Sequence, residues 1–516
     1  MASFQIVYDD FSGGQYMGPK STNWPKNTFD GTNAMSNPYG HLMPTGGPAL
    51  AYTATVGTPT SAEVVDQWII GETLYAFCQW YTGGTYAPRM VSFNVANGTV
   101  FPSPTVTTTT LTGTLAGKVA YDNPSTKFFY VRSDGANAGY IRSVTTGGTD
   151  ASVSTALGGT GITNVAQYGY RLVAWGSTSK RLYYSNTDLT TWSTSNYYEF
   201  SGEVLNVLPR SNDLLVIATT GVFSVVGVLG SSVTIQQILP APNTPEGMRD
   251  AVIVGRTAVF CDNSRSGNMD GRIHQLVGTS VQPIANLSFT AIQNVGAVGG
   301  YEQVRCFNVQ DSGISVILKD GLTLYVRKQD GTWVKFYNTN VSPIVARNAT
   351  NQIHVARPGV NSQNEYIIAA YVDSDSGYAI NFVRAIYGVT DTTYEDHDFR
   401  TTSTASGESV VPVGYAMLPE YWHNKPFTVK HLIIEWQGRS GGYVSANIYP
   451  TGVIDATGSN VEEGLSETID TTLNGFYDSF VTERIAVDDA SKGMGAKVEL
   501  TLHDSRVKRV MLMCED

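Results

Sequence analysis

The sequence predicts an all-β protein built around a β-propeller of about seven blades, with an extended N-terminal arm and a C-terminal β-sandwich. Three observations lead there. Strand-forming and turn-forming residues dominate a chain of 516 residues with 52 Gly, 29 Tyr and only 15% charged side chains. Short apolar strands recur through the middle of the chain. Most of them are followed, after a polar turn, by a second strand.

The recurring strands are LYAF (74–77), FFYV (128–131), LVAW (172–175), LVIA (215–218), AVFC (258–261), SVIL (315–318) and IIAA (367–370). Tyr75, Phe129, Val173, Val216, Val259, Val316 and Ile368 mark them at intervals of 54, 44, 43, 43, 57 and 52 residues. Propeller blades repeat about every 40–50 residues, so the wider intervals imply longer loops. Second strands such as RLYYSN (181–186), GVFSVVG (221–227), GLTLYVRK (321–328) and YAINFVRAI (378–386) follow turns rich in Gly, Asp, Ser and Thr, which is a hairpin pattern. Antiparallel blades in a ring leave few open edges. The propeller is therefore assigned to residues 48–395 with seven blades; six or eight also fit the spacing, and a pair of β-sandwiches is the alternative architecture. ALAYTATVGT, from Ala49, is placed to supply a strand that closes the ring.

The ends differ from the middle. Residues 1–47 carry Pro19, Pro25, Pro38 and Pro44, several Gly, and scattered Trp24, Phe29 and Tyr39. They read as an extended arm whose aromatics need a surface on this chain or on a neighbour. Residues 396–410 are small and polar, a linker. Beyond them, 411–516 read as a small sandwich: in AKVELTLH, Val498, Leu500 and Leu502 share one face and Lys497, Glu499, Thr501 and His503 the other. HDSR (503–506) is expected to be the turn between the last two strands.

Composition narrows the chemistry. A formal charge of −11 makes the chain a poor holder of a phosphate backbone, although it suits a wall that repels one. Cys78, Cys261, Cys306 and Cys514 are far apart and sit in apolar runs, the pattern of buried free thiols. No apolar run is long enough to span a membrane, and MASFQIVYDDF lacks the flank and core of a signal peptide, so synthesis in a reducing cytoplasm is expected. There is no GxSxG, HExxH or GxxxxGK[ST] motif. Glu395, Asp396, His397 and Asp398 group together, but such a run is more often a solvated loop than a metal site. SNTDLTTW (185–192) and QDGTW (329–333) are similar to Asp-box turns of sialidase-type propellers, in which a carboxylate fixes loop amides and a Trp packs between blades. Asp188 lacks the expected following Gly, and Asp330-Gly331 is an ordinary turn pair, so blade corners are the simpler reading. No catalytic residue, cofactor or metal ligand is assigned.

Several segments together resemble the tail nozzle, or tail hub, proteins of short-tailed bacteriophages: DFSGGQY (10–16) ahead of an Asn-, Pro- and Gly-rich arm, YGYRLVAWGSTSKRLYYSNTDLTTW (168–192), ISVILKDGLTLYVRKQDGTWVKF (314–336) and GAKVELTLHDSRVKRVMLMCED (495–516). The likeness lies in the order of these motifs more than in identity, and related propellers occur as minor tail proteins of long-tailed phages. The resemblance implies a non-enzymatic structural protein of the virion tail, assembled in the host cytoplasm. It implies a homo-oligomeric ring, commonly a hexamer, beside the tail adaptor and other tail proteins. The genome DNA would leave through its lumen without specific binding, and there would be no membrane anchor. The alternatives are a receptor-binding or a glycan-degrading propeller tail protein. Within the arm, Asp9, Asp10, Phe11, Gly13, Gly14 and Tyr16 are the candidate interface residues. Phe11 and Tyr16 would be anchors, the two glycines would permit close backbone approach, and the two acids would meet cations or amides across an interface. A strand contributed to the propeller's own closure is the competing reading.

Overall fold

The computed structural model describes residues 3–16, 24–32, 34–36, 39–44, 49–71, 73–94, 105–115, 117–132, 139–153, 157, 161–240, 251–254, 257–261, 272–286, 304–309, 313–318, 323–327, 332–337, 354–356, 365–373, 377–388, 413–451, 465–470, 480–487 and 492–516. Every regular element among them is a β-strand.

Seven antiparallel four-stranded units follow one another between residues 49 and 388. Blade 1 runs Ser61–Ile70, Thr73–Thr82, Thr85–Asn94 and Val106–Thr110. Blade 2 starts at Ala120–Asp122, blade 3 at Asn164–Tyr168, blade 4 at Val204–Pro209, blade 5 at Val252–Val254 and blade 6 at Val304–Val309. Blade 7 runs His354–Ala356, Glu365–Asp373 and Ala379–Gly388, and takes its fourth strand, Ala49–Ala54, from ahead of blade 1. That strand pairs Ala54 with Ile380, Thr53 with Asn381 and Tyr52 with Phe382, and the Thr53 hydroxyl donates to Asn381 Oδ1 at 2.6 Å. The ring therefore closes as the sequence suggested, and the seven marker strands are the seven second strands of the blades. Each is preceded by a first strand, and neighbouring blades approach one another through those first strands. The sequence pattern passed over them because several are short or interrupted by a polar side chain, as at Asp66, Asn164 and Asn206.

Between blades the side chains form successive apolar layers. Phe77 and Met90 of blade 1 meet Phe128, Tyr130 and Val144 of blade 2; Trp175 and Leu182 of blade 3 meet Val207, Leu214 and Val216 of blade 4; Leu215, Ile217 and Val222 of blade 4 meet Ala258, Phe260 and Leu276 of blade 5. The first layer is aromatic: Phe128 lies 5.2 Å from Phe77, 5.0 Å from Tyr75 and 4.8 Å from Tyr121, ring centre to ring centre.

The remaining described strands form one domain from both ends of the chain. Two long strands, Tyr421–Thr451 and Gly493–Glu515, pair antiparallel along most of their length. The N-terminal strand Ser3–Tyr8 pairs with the last residues, Ser3 opposite Glu515 through Tyr8 opposite Val510. Strand Thr28–Thr32 pairs with Val413–Met417, which in turn pairs with the last long strand. The sandwich expected over 411–516 takes the form of a single sheet folded over one core. Leu432, Ile434 and Trp436 from one half and Val444, Ala446 and Ile448 from the other enclose it together with Ile6, Tyr8, Phe11, Phe29 and Leu42. Val498, Leu500 and Leu502 point into this core, as their alternation predicted. The expected turn at His503–Arg506 is not one: both residues lie within Gly493–Glu515, and the irregularity falls on the partner strand between Gly438 and Tyr443. Asp504-Ser505 can stay extended because the bend is absorbed by that Gly- and Ser-rich bulge. Blade 6 joins the domain edge to edge, its fourth strand Trp333–Tyr337 bridging Ala34–Ser36 at Lys335 and Ala34. The proposed linker at 396–410 lies outside the described residues.

Replacing Phe128 with Ala removes the aromatic centre of the layer between blades 1 and 2. It is expected to cost about 3–5 kcal/mol, read as a lowered midpoint in chemical denaturation with the slope unchanged.

Candidate functional site

The six arm residues are brought together in one tight loop, and its partners are in the same chain. Tyr8, just ahead of them, is buried and its hydroxyl donates to the Pro419 carbonyl at 2.7 Å. Burial of that phenol in the apolar core pushes its pKa well above the ordinary tyrosine range. Asp9 and Asp10 are exposed; Asp10 Oδ1 accepts the Ser12 amide at 2.8 Å, which turns the chain. Phe11 is fully buried in the terminal core, and its amide donates to the Gly40 carbonyl at 2.9 Å. The Gly13 amide donates to Asn27 at 2.9 Å and the Tyr16 amide to Phe29 at 2.7 Å. Tyr16 stacks on Trp24 with ring centres 5.3 Å apart.

Phe11 is thus an anchor, but an internal one: a side chain with no exposed surface has none left for another subunit. The same holds for the extended arm. Over its described residues the N-terminal segment is part of the terminal sheet, because strand Ser3–Tyr8 completes the pairing of the C-terminal residues and the apolar side chains Ile6, Phe11, Phe29 and Leu42 are needed to fill the core beneath. Of the six residues, Asp9 and Asp10 alone keep exposed side chains for a second protein.

The two glycines sit where the backbone comes close to other segments of the same chain. Gly14 adopts φ +66°, and a Cβ there would lie 2.8 Å from Thr332 Cβ, at the start of blade 6's outer strand. A Cβ on Gly13 would lie 2.5 Å from Thr28 Cγ2 and 2.8 Å from the Asn27 carbonyl. The DFSGGQY loop is where the terminal domain presses against the propeller.

A second cluster, not singled out from the sequence, occupies the propeller axis. Asp66 on the first strand of blade 1 is buried; its Oδ1 accepts the Gln67 amide at 2.7 Å and its Oδ2 the Val119 amide, at the entry to blade 2, at 2.6 Å. Asn164 of blade 3 accepts the Lys118 amide at 2.9 Å. Lys118 then extends its ammonium to Asn206 Oδ1 of blade 4 at 2.8 Å. Asn206 Nδ2 donates to the Ala251 carbonyl, at the entry to blade 5, at 2.9 Å. One Asp, one Lys and two Asn therefore link five consecutive blades at their inner strands. Burial pushes the Asp66 carboxyl from its ordinary value of 3.8 up to about 7, against the opposing pull of the Val119 and Gln67 amides, Lys118 and Trp68. With both oxygens held by backbone amides, this carboxylate works as a tie between blades. The signal was present in sequence as a polar residue set into or at the edge of an apolar run, VVDQW, ITNVA and VLNVL.

Asp188 also behaves as a structural tie. Its carboxylate accepts the amides of Thr190 at 3.1 Å and Thr191 at 2.8 Å and the Thr191 hydroxyl, and these bonds, led by the hydroxyl, hold its pKa below the usual carboxylate range. Trp192 packs between blades 2 and 3 with Leu157, Ile162 and Val165. The segment is an Asp-fixed blade corner. In the second such segment, Gln329, Asp330 and Gly331 lie outside the described residues, as do Glu395, Asp396, His397 and Asp398. Among the described residues no cluster of His, Cys, Asp and Glu has the makings of a metal site. Cys78 and Cys514 are buried free thiols, and burial raises the Cys514 thiol to about 12. Among the described residues no helix is long and apolar enough to cross a membrane.

This geometry defines the chain as a closed β-propeller joined to a β domain built from both chain ends. No family model matches the sequence, and no curated protein does. Solved structures with a similar fold include virginiamycin B lyase from Staphylococcus aureus, 8% identical over 62% of this chain and 94% of that one with a TM-score of 0.41. The WD40 domain of Toxoplasma gondii coronin is 10% identical over 67% and 89%, TM-score 0.42. The β-propeller domain of the Trilobed protease from Pyrococcus furiosus is 10% identical over 65% and 97%, TM-score 0.37.

Two outcomes are expected. Gly14→Ala, forced into a left-handed backbone and against Thr332, is expected to cost about 2–5 kcal/mol, strain plus overpacking, whereas Gly57→Ala, also left-handed but in open space, costs about 1–2 kcal/mol; paired thermal melts compare them. For Asp66, the folded pKa lies above the unfolded one, so the unfolded state releases its proton first as pH rises. Its contribution to stability is most favourable below about pH 4 and falls between about pH 4 and pH 7. Asp66→Asn removes that slope, and urea titrations of both proteins across the window show the wild type losing stability relative to the variant.

Proposed function

We propose that this chain is a structural subunit of a bacteriophage tail, a nozzle or hub protein. Copies of it assemble into a homo-oligomeric ring, six being the favoured number, around the channel through which DNA is ejected. It sits in the virion next to the tail adaptor and other tail proteins, and its role involves no catalytic step. The order of the sequence motifs suggested this role. The observation that carries it is the locking of both chain ends, the closing strand of blade 7 and the outer strand of blade 6 into one stiff β body. A conduit that holds its bore under load needs parts of this kind.

Two further features fit. Lys118 spans from blade 2 to Asn206 of blade 4 at the propeller axis, so in the proposed assembly DNA passes between copies, not along the axis of one propeller. Acid and base are also unevenly placed. Residues 49–395 hold 23 Asp and Glu against 21 Lys and Arg, whereas 396–516 hold 18 against 10. The proposal accordingly assigns the DNA-facing wall to the terminal domain, where like charge keeps the phosphate backbone from adhering.

Electron microscopy of the purified full-length chain is expected to show rings, and virions labelled on this chain are expected to carry the label at the tail end. A protein that is absent from particles and that releases reducing sugar from bacterial surface glycans would overturn the proposal in favour of the glycan-degrading alternative.

A further inference from the structure

We infer that copies of this chain join head to tail through two uncharged blade edges, the outer strand of blade 4 in one copy lying along the outer strand of blade 1 in the next. The inference rests on the ring-forming reading and adds the surface that builds the ring.

Blade 4 ends in the hairpin Gly221–Gly227 and Val233–Pro240. From residue 214 to residue 245 the sequence has no Asp, Glu, Lys or Arg. The hairpin is nonetheless well exposed: Thr234, Ile235, Gln236 and Gln237 all face solvent, and Val226 and Val228 keep 48% and 64% of their surface. Over Val233–Gln237 the outer strand is regular, and among the described residues it pairs only with Gly221–Gly227. An open, uncharged strand of this kind is an invitation to pair with another chain.

Most of the other blades protect their outer strands. In blade 2 the strand is three residues long and Asp150 is tied to Arg142 at 3.1 Å. Blade 3 carries Glu199, 3.8 Å from Arg181. Blade 5 has Pro283 and a bulge opposite Ile273–His274. Blade 6 is covered by Ala34–Ser36, and blade 7 has a bulge at Phe382–Val383. Blade 1 is the exception that matches blade 4: its outer strand Val106–Thr110 is VTTTT, uncharged and mostly exposed.

Three arguments make the occupant a second copy of this chain. Each copy carries −11, so close contact between copies is favoured where neither side presents carboxylates. The two edges match in length, five regular residues each, Val233–Gln237 and Val106–Thr110. Blades 1 and 4 are both four-stranded antiparallel meanders in chain order, so their fourth strands run in the same sense. Two copies with parallel axes therefore bring these edges together as a parallel pair, and the two blades fuse into one continuous sheet. Blades 1 and 4 stand three places apart in the ring of seven, so one copy can hold a neighbour on each side. That is the heterologous contact from which closed rings are made.

Sedimentation of the full-length chain tests this with two variants, Ile235→Lys on the blade 4 edge and Thr108→Lys on the blade 1 edge. Both sites are on exposed edges, and unchanged circular dichroism and melting confirm folding; Gln236→Lys replaces Ile235→Lys should the latter melt early. Each variant alone is expected to sediment as a monomer at concentrations where the wild type is oligomeric, with self-association weakened about tenfold or more. Mixed together, the two are expected to give a dimer and nothing larger, because each supplies the one edge the other lacks. Thr108→Lys assembling like wild type while Ile235→Lys does not would replace this with a symmetric contact of blade 4 on blade 4. Folded variants that both assemble like wild type would overturn the edge assignment and leave the ring reading standing. A wild type that stays monomeric would overturn both, and would leave the edges to a different protein.

Discussion

Everything else in this molecule depends on the pairing of Ala49–Ala54 with Ala379–Gly388. A ring of blades is stable only when its last blade packs on its first, and here the last blade is completed by the segment that enters the propeller. Thr53 and Asn381 meet across 328 positions of sequence. Closing so long a loop costs entropy before any contact rewards it. The reward comes all at once: Tyr52, Phe93 and Phe382 come together, with Phe93 and Phe382 edge to face at 5.3 Å, and blade 7 joins blade 1. An unclosed ring would expose two complete blade faces to water.

Closure in this way dictates where the ends must go. The chain enters and leaves the propeller through the same blade, so the segments before residue 49 and after residue 388 start from the same place. They combine into one domain in which the first strand, Ser3–Tyr8, pairs with the last residues. Neither end could fold so well alone. The C-terminal strands lack Ile6, Phe11, Phe29 and Leu42 from their core, and the N-terminal segment has too few apolar side chains for a core of its own. Contact between Gly14 and Thr332, and the bridge from Ala34 to Lys335, then fix this domain on blade 6. The polar ties at the axis hold from within what those contacts hold from without. They cost desolvation, most of all at Asp66, but every oxygen and amide in the chain of bonds from Asp66 to Ala251 has a partner along the inner strands.

Much of the propeller was legible because its repeating unit is local. LVAW followed by RLYYS, or LVIA followed by GVFSVVG, is a buried strand, a turn and a second strand within some fifteen residues, and each element announces itself through its own composition. The first strands were harder to see. Three-residue strands such as Ala120–Asp122 carry too little periodicity, and Asp66, Asn164 and Asn206 break the apolar run at the very positions where the axis needs polar ties. The segment His503–Arg506 was misleading for the opposite reason. Asp-Ser has turn chemistry, but the bend it promised was taken up by Gly438–Tyr443 on the partner strand, which sequence reasoning had no means of aligning with it.

The sequence by itself determined the all-β class, the sevenfold recurrence, the strand that shuts the ring and the backbone freedom of Gly13 and Gly14. These follow from composition, from spacing and from the stereochemistry of single residues, all of which are properties of short stretches. Only the tertiary structure decided what those glycines approach, that Phe11 serves its own core, that the two ends make one domain, and that Asp66, Lys118, Asn164 and Asn206 meet at an axis. Each of these is a contact between segments tens to hundreds of residues apart, where the partner is chosen by shape, by burial and by the satisfaction of buried polar groups once the ring has closed.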